Sequence, residues 1–254
     1  MGSRLVDCFH NGFNLLPFVW IIFRKDRCHL LVNTQTASSQ RRTDMNISII
    51  GAGNMGKGLA ALFAKAGHKV ALAARDTDKA VAAANELGAG VTAVAIAKAG
   101  EGADIVVLAV PYEAAAAAVE AAGGLAGKLV VDITNPMKAD FSSLSIGHTT
   151  SAAEEIQKSA PAARVVKAFN TIFAQVLQNG GQAGGRPATV FVASDDADAR
   201  ASIAELARSA GFETVETGNL ASARLLEPVA ALNIALGYGL GHGTDIAPTW
   251  QRTA

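Results

Sequence analysis

From residue 46 onward, short apolar runs alternate with alanine-rich stretches at helical spacing, and this alternation restricts the possible folds more than any other feature. Candidate strands lie at 47–50, 70–74, 105–110, 129–133, 165–169, 190–193 and 213–216. Candidate helices lie at 55–65, 78–87, 112–122, 152–158, 196–210 and 221–238. Runs that are apolar without a break are buried on both faces, which requires a parallel sheet covered by helices. The predicted architecture is therefore α/β, a doubly wound parallel sheet with helices on both faces. The glycine-rich stretch at 180–185 reads as a mobile loop.

Directly after the first apolar run stands Gly51-Ala52-Gly53-Asn54-Met55-Gly56. A pyrophosphate binds where a strand ends and a helix begins, because free N–H groups and the helix dipole face it there. In that setting Gly51 permits the tight turn, Gly53 the approach of the phosphate, and Gly56 the packing of helix on strand. The end of the second strand selects the nucleotide. There the sequence runs Ala73-Ala74-Arg75-Asp76, with Lys79 one helical turn on. Arg75 and Lys79 suit the 2′-phosphate of NADP. Asp76 suits the ribose 2′-hydroxyl of NAD, so the second nucleotide stays open.

Composition narrows the functional classes. Lys plus Arg number 22 and Asp plus Glu 22, so there is no cationic footprint for nucleic acid. No apolar run approaches the roughly 20 residues needed to cross a bilayer. Two cysteines, Cys8 and Cys28, supply neither a disulfide framework nor a zinc site, and no His, Cys or carboxylate cluster has metal-ligand spacing. A cytoplasmic enzyme with small-molecule partners is the expectation.

Residues 1–44 differ in kind, with one alanine (Ala37) and both cysteines, whereas alanine makes up about a quarter of the residues beyond Met45. The apolar stretch at 13–23 is interrupted by Pro17 and has its positive charge mainly on the wrong side for a signal peptide. Three readings stay open: a start upstream of the native Met45, a peripheral anchor, or an extra packed element. The expected organisation is a doubtful or disordered extension at 1–44, a nucleotide domain at 45–170 and a small α/β subdomain on the acceptor side at 171–254.

Taken in order, GAGNMGKGLA (51–60), AARDTDKA (73–80), VLAVPYEAA (107–115), VVDITNP (130–136), VKAFNTI (166–172) and the segment 226–248 resemble the NADPH-dependent reductases of the deazaflavin coenzyme F420, bacterial branch. The resemblance spans Met45 to about Thr249 and extends to the cytosolic domain of certain membrane metalloreductases. It implies a Rossmann-type fold with NADP(H) as cofactor and F420, or another flavin-like acceptor, as co-substrate. It further implies that Gly51, Gly53, Asn54, Met55 and Gly56 lie along the pyrophosphate and that Arg75 and Lys79 contact the 2′-phosphate. Ala74 stands where the family often has a serine. Val110 and Pro111 would pass the nicotinamide ribose, and Asn135, Phe169 and Asn170 would wall the nicotinamide and acceptor pocket. Asn170 replaces a histidine of an archaeal relative.

The residues have readings of their own. Pro111, Asn135 and Asn170 each follow an apolar strand, which places them on the carboxyl rim where open α/β sheets bind ligands. Asn135 and Asn170 also serve as ordinary strand-end residues. His68, in a helix-to-strand turn, reads as a surface residue, while His148 and His242 fall in glycine-containing loops. Hydride transfer between planar rings needs little acid–base help, so no catalytic residue is assigned. The glycines at 237, 239, 241 and 243 would let the last helix close over the acceptor, and the apolar surface of that helix fits a homodimer. An imine or hydroxyacid reductase, a flavin reductase and an NADPH sensor without turnover remain rivals.

Overall fold

The computed structural model describes residues 44–250, Gly124 excepted. The expectations for residues 1–43 lie outside the described residues. The chain begins with β1 (Asn46–Ile50), α1 (Asn54–Lys65), β2 (Lys69–Ala74), α2 (Thr77–Leu87) and β3 (Val91–Ala95). It continues through β4 (Ile105–Leu108), α3 (Tyr112–Ala121), β5 (Leu129–Asp132), α4 (Ala152–Ser159) and β6 (Arg164–Lys167). These six strands form one sheet in the order β3-β2-β1-β4-β5-β6, all neighbours parallel. That order reverses direction between β1 and β4, the switch point at which a crevice opens outside the strand ends.

Burial explains why the sheet is so apolar. On one face Ile47, Ile49, Val107 and Val131 meet Leu59, Leu62 and Phe63 of α1 and Ala83 and Ala84 of α2. On the other, Ile50, Val106, Leu108 and Val130 meet Ala115, Ala118 and Val119 of α3 and Ala153 and Ile156 of α4. The small alanine side chains let helices lie close to the sheet. Helix starts are fixed locally: Asp76 accepts from the N–H of Asp78 and Lys79, and Ser151 and Glu154 form a reciprocal capping pair.

Beyond Asn170 come α5 (Ala174–Gln178), β7 (Gln182–Ala183), β8 (Arg186–Pro187), β9 (Thr189–Val192), α6 (Ala197–Ser209), β10 (Glu213–Glu216) and α7 (Ala223–Ile234). β9 and β10 pair in parallel, and the backbone of Ala193 exchanges hydrogen bonds with Lys167 at the end of β6. The described residues thus pack as one compact unit. The stretch expected as a mobile loop is an antiparallel hairpin, turned by Gly184 and Gly185 at φ 57° and 76°. Glycine adopts that left-handed geometry without steric cost.

The helical run Leu220–Gly239, of which α7 is the middle, has 20 residues and a mean hydropathy of 1.2. This corrects the expectation that no apolar run reaches membrane-spanning length. By length and composition it passes that test, but Ala223, Leu226, Glu227, Ala230 and Asn233 are packed into the domain. Leu225, Leu232 and Tyr238 stand exposed.

Arg224 ties α7 to α4, with Nε to Glu154 Oε2 at 2.8 Å and Nη2 to Glu154 Oε1 at 2.5 Å. The Arg224 hydrogen bond holds the Glu154 carboxyl below its ordinary value near 4.5. A lowered folded value means stability that is present above the unfolded value and lost as pH falls through the folded one. Replacing Glu154 by Gln should cost up to about 1 kcal/mol at neutral pH and nothing once the wild-type carboxyl is protonated. Urea unfolding across that acid range should show the two stabilities converging, and parallel curves would refute the assignment.

Candidate functional site

A cleft of about 580 Å³ opens at the switch point. Gly51 and Gly53 form one wall, Val110, Pro111 and Ala114 another, and Arg75, Asp76 and Lys79 its far end. Each glycine does a different job. Gly51 has φ 128°, and a Cβ there would fall 2.1 Å from the carbonyl oxygen of Ala109. Gly56 is buried against the turn, where a Cβ would fall 1.8 Å from Gly51 O. Gly53 is extended, and a Cβ on it would meet no protein atom within 4 Å. The room at Gly53 is therefore open space beside the first turn of α1, which Asn54 and Met55 begin. That turn has no side-chain cap and no acidic residue, so its N–H groups and positive dipole end suit an anion. These residues fit a dinucleotide pyrophosphate.

The contrast makes a prediction. Gly53→Ala should leave the melting temperature near wild type yet weaken NADPH binding about tenfold, because the methyl group intrudes only on a ligand. Gly56→Ala should cost about 1–3 kcal/mol of stability as well, since main chain must shift. Calorimetry and thermal melts on both variants check this; equal melting losses would overturn it.

At the cleft's far end Arg75 is exposed and Lys79 is 77% exposed. Asp76 is committed elsewhere: its Oδ1 caps α2, and its Oδ2 lies 3.8 Å from Lys79 Nζ. One carboxylate oxygen of Asp76 is thus drawn into the helix cap, while the other stays beside Lys79 at this end of the cleft. Ile96, Glu113 and Ala117 also line the cleft and were not read from the sequence. The α3 contact at Ala117 carries no motif of its own, because alanine appears on every helix among the described residues.

Asn135 and Asn170 come together just beyond the ends of β5 and β6, and neither is in the lining of the cleft. Asn135 Nδ2 donates to the Asn170 carbonyl at 2.8 Å, and Asn170 Nδ2 donates to Asn135 Oδ1 at 3.0 Å and to the Leu226 carbonyl at 3.1 Å. Asn135 is half-buried and Asn170 buried. Phe169 is corrected. Its ring is 1% exposed and packs edge-on against Phe63 and Phe212, so it belongs to the core rather than to a pocket wall. Its backbone sits at φ 57°, a left-handed turn that bulky residues seldom adopt and that costs about 1–3 kcal/mol.

His68 is also corrected. It is 5% exposed, with Nδ1 accepting from the Met45 N–H and Nε2 hydrogen-bonded to Ser209 Oγ at 3.0 Å. His148 and His242 are exposed. In the glycine segment after α7, Gly237 is buried, and a Cβ there would strike the Phe173 ring at 2.9 Å. Only Gly241 and Gly243 of that segment have positive φ.

The sequence reading missed a buried charge cluster beneath the rim. Lys167 Nζ lies 2.8 Å from Asp132 Oδ2, 2.8 Å from Glu227 Oε1 and 2.6 Å from the Thr134 carbonyl. Burial raises the Glu227 carboxyl above its ordinary value, against the pull of Lys167. Its signal was available: a charged residue closes each of the apolar strands β5 and β6, and a glutamate interrupts the apolar run of α7.

Comparisons with known proteins give the family. The family model described as NADP oxidoreductase, coenzyme F420-dependent, matches residues 46–136. The chain is 31% identical over 208 residues to the F420-dependent NADP reductase of Methanothermobacter marburgensis, covering 76% of this chain and 92% of that protein. A solved structure from Arthrobacter sp. fb24, assigned to the F420-dependent NADP reductases, matches with a TM-score of 0.74 at 33% identity, covering 82% of this chain and all of that one. The metalloreductase STEAP3 of Rattus norvegicus is 40% identical over 105 residues, 41% of this chain, which spans about a fifth of that protein's length. A reductive aminase of Aspergillus terreus, with a TM-score of 0.57 at 22% identity over 78% of this chain and 64% of that one, is similar in fold alone. The chain belongs to the coenzyme F420-dependent NADP oxidoreductase family, and it is an NADP-dependent oxidoreductase.

Proposed function

We propose that the protein transfers a hydride between NADP(H) and a planar, electron-poor acceptor, with the deazaflavin F420 as the first candidate. The observation that carries this reading is the cleft itself, which is lined by the open space at Gly53 and by the exposed side chains of Arg75 and Lys79, with one oxygen of Asp76 held in the cap of α2. When bound, the nicotinamide supplies the hydride chemistry. The chain's own residues bind, orient and exclude water. Gly51, Gly53 and the start of α1 hold the pyrophosphate, and Arg75 and Lys79 hold the 2′-phosphate. Val110 and Pro111 pass the ribose, and the Asn135–Asn170 pair borders the place where the two rings meet. Positioning of this kind accounts for rate without a protein acid or base.

The test is steady-state oxidation of NADPH against F420, FMN, riboflavin and a cyclic imine. Turnover with F420 well above the others is expected. Turnover with the imine alone would transfer the protein to the aminase-like chemistry, and tight NADPH binding with no turnover would make it a sensor.

A further inference from the structure

Asp132 ends β5, Lys167 ends β6 and Glu227 lies on α7, and they are 0%, 0% and 1% exposed. All three donors of the Lys167 ammonium are used, and each carboxylate oxygen has at least one partner. Asp132 Oδ1 accepts from the Thr134 N–H at 2.8 Å, while Glu227 accepts from the N–H groups of Ala152 at 3.0 Å and Ala153 at 3.4 Å. One ammonium serves two carboxylates, and the start of α4 supplies further positive potential to Glu227. Buried ion sets of this kind seldom stabilise a protein more than well-packed apolar residues would. Fastening α7 to the sheet is thus a poor explanation for keeping three charges out of water.

Their neighbours offer a better one. Thr134, whose carbonyl and N–H are both held by the cluster, directly precedes Asn135. Lys167 lies three residues before Asn170, and Glu227 follows Leu226, whose carbonyl receives Asn170 Nδ2. Three side-chain atoms in the same segments, Thr134 Oγ1, Asn170 Oδ1 and Thr171 Oγ1, are buried without a hydrogen-bond partner. Polar atoms left unpaired in this way take a water, an ion or a ligand, or store strain.

We propose that the Lys167–Glu227 ion pair is a positioning latch for the acceptor side: it holds α7 and the ends of β5 and β6 in one register, so that the Asn135–Asn170 pair meets the acceptor at a set distance. This rests on the hydride-transfer reading. Glu227 and Lys167 are positioning residues, since neither reaches the solvent-open cleft.

Glu227→Gln in the full chain tests it. A carboxamide accepts on one side only, so it cannot satisfy both Lys167 and the Ala152 N–H. The expected result is an acceptor KM raised about tenfold, with the NADPH dissociation constant, measured by fluorescence titration, within about twofold of wild type. Amide exchange at 133–137 and 223–230 should be faster. Faster exchange with an unchanged acceptor KM would reduce the cluster to a structural fastening and overturn the proposal, as would unchanged exchange at 133–137. Parallel loss of NADPH affinity would overturn it too. Exchange is measured without acceptor, so unchanged exchange at 133–137 overturns the latch by itself, whereas a wild type that reduces no acceptor sinks the hydride-transfer reading and, with it, the role assigned to the latch. If Glu227→Gln does not fold, the charge-free triple variant Asp132→Asn, Lys167→Met, Glu227→Gln is read by the same measurements and against the same outcomes.

Discussion

Lys167→Met should destabilise the folded chain by about 3–5 kcal/mol, because removal of one partner leaves buried charge without compensation. In a domain of this size that corresponds to a melting temperature lower by about 6–20 °C. Asp132 and Glu227 would remain in the interior with only main-chain N–H groups as partners. The loss should depend on pH, with a definite sign. Burial already raises the Glu227 carboxyl in the wild type, and without the ammonium it would be raised further. A raised folded value means that the native state binds protons the unfolded state has released, so stability falls as pH rises through that window. The gap between variant and wild type should therefore widen over the pH range that begins at the ordinary carboxylate value near 4.5 and runs upward to neutrality. Guanidinium unfolding at both ends of that range checks it. A gap below about 1 kcal/mol, or one that does not move with pH, would show that the three charges are not coupled.

Arg75→Ala should raise the KM for NADPH by about 10–100-fold while leaving that for NADH within about twofold, since a hydrogen bond to a charged group contributes about 1.5–3 kcal/mol and only NADPH offers the phosphate. Lys79→Ala should act in the same direction with a smaller effect, because Lys79 is 77% exposed and its ammonium is screened by water. The check is a pair of saturation curves for each nucleotide at one ionic strength. Equal losses for the two nucleotides would return the choice to Asp76, whose carboxylate would then have to leave the cap of α2.

The parts that were legible are those in which local chemistry and burial say the same thing. Strands covered on both faces must be apolar through most of their length, and residues 70–74, 105–108, 129–131, 165–166 and 190–192 are unbroken runs of this kind. The glycine turn was legible because main chain passes main chain there, leaving no room for a side chain at Gly51 or Gly56. β3 was not foreseen: it lies at the sheet edge and is mostly half-exposed or exposed, so its residues carry no unbroken apolar signal. α5, at five residues, is too short to show a helical period. His68 looked like a turn residue on the surface because nothing nearby in the chain hints that Ser209 will cover it.

The alternation of the main strands and helices and the nucleotide turn were thus determined by the sequence alone, since both follow from contacts between residues close in the chain or from the apolar runs of a covered sheet. The choice between Phe169 as core and Phe169 as pocket wall was made only in three dimensions, by the left-handed turn that points its ring at Phe63 and Phe212. The commitment of Asp76 to a helix cap and the meeting of Asp132, Lys167 and Glu227 were decided at the same level. Charges separated by tens of residues have no periodicity to announce them. They become a single unit when parallel strands bring their carboxyl ends to one rim and a late helix crosses it.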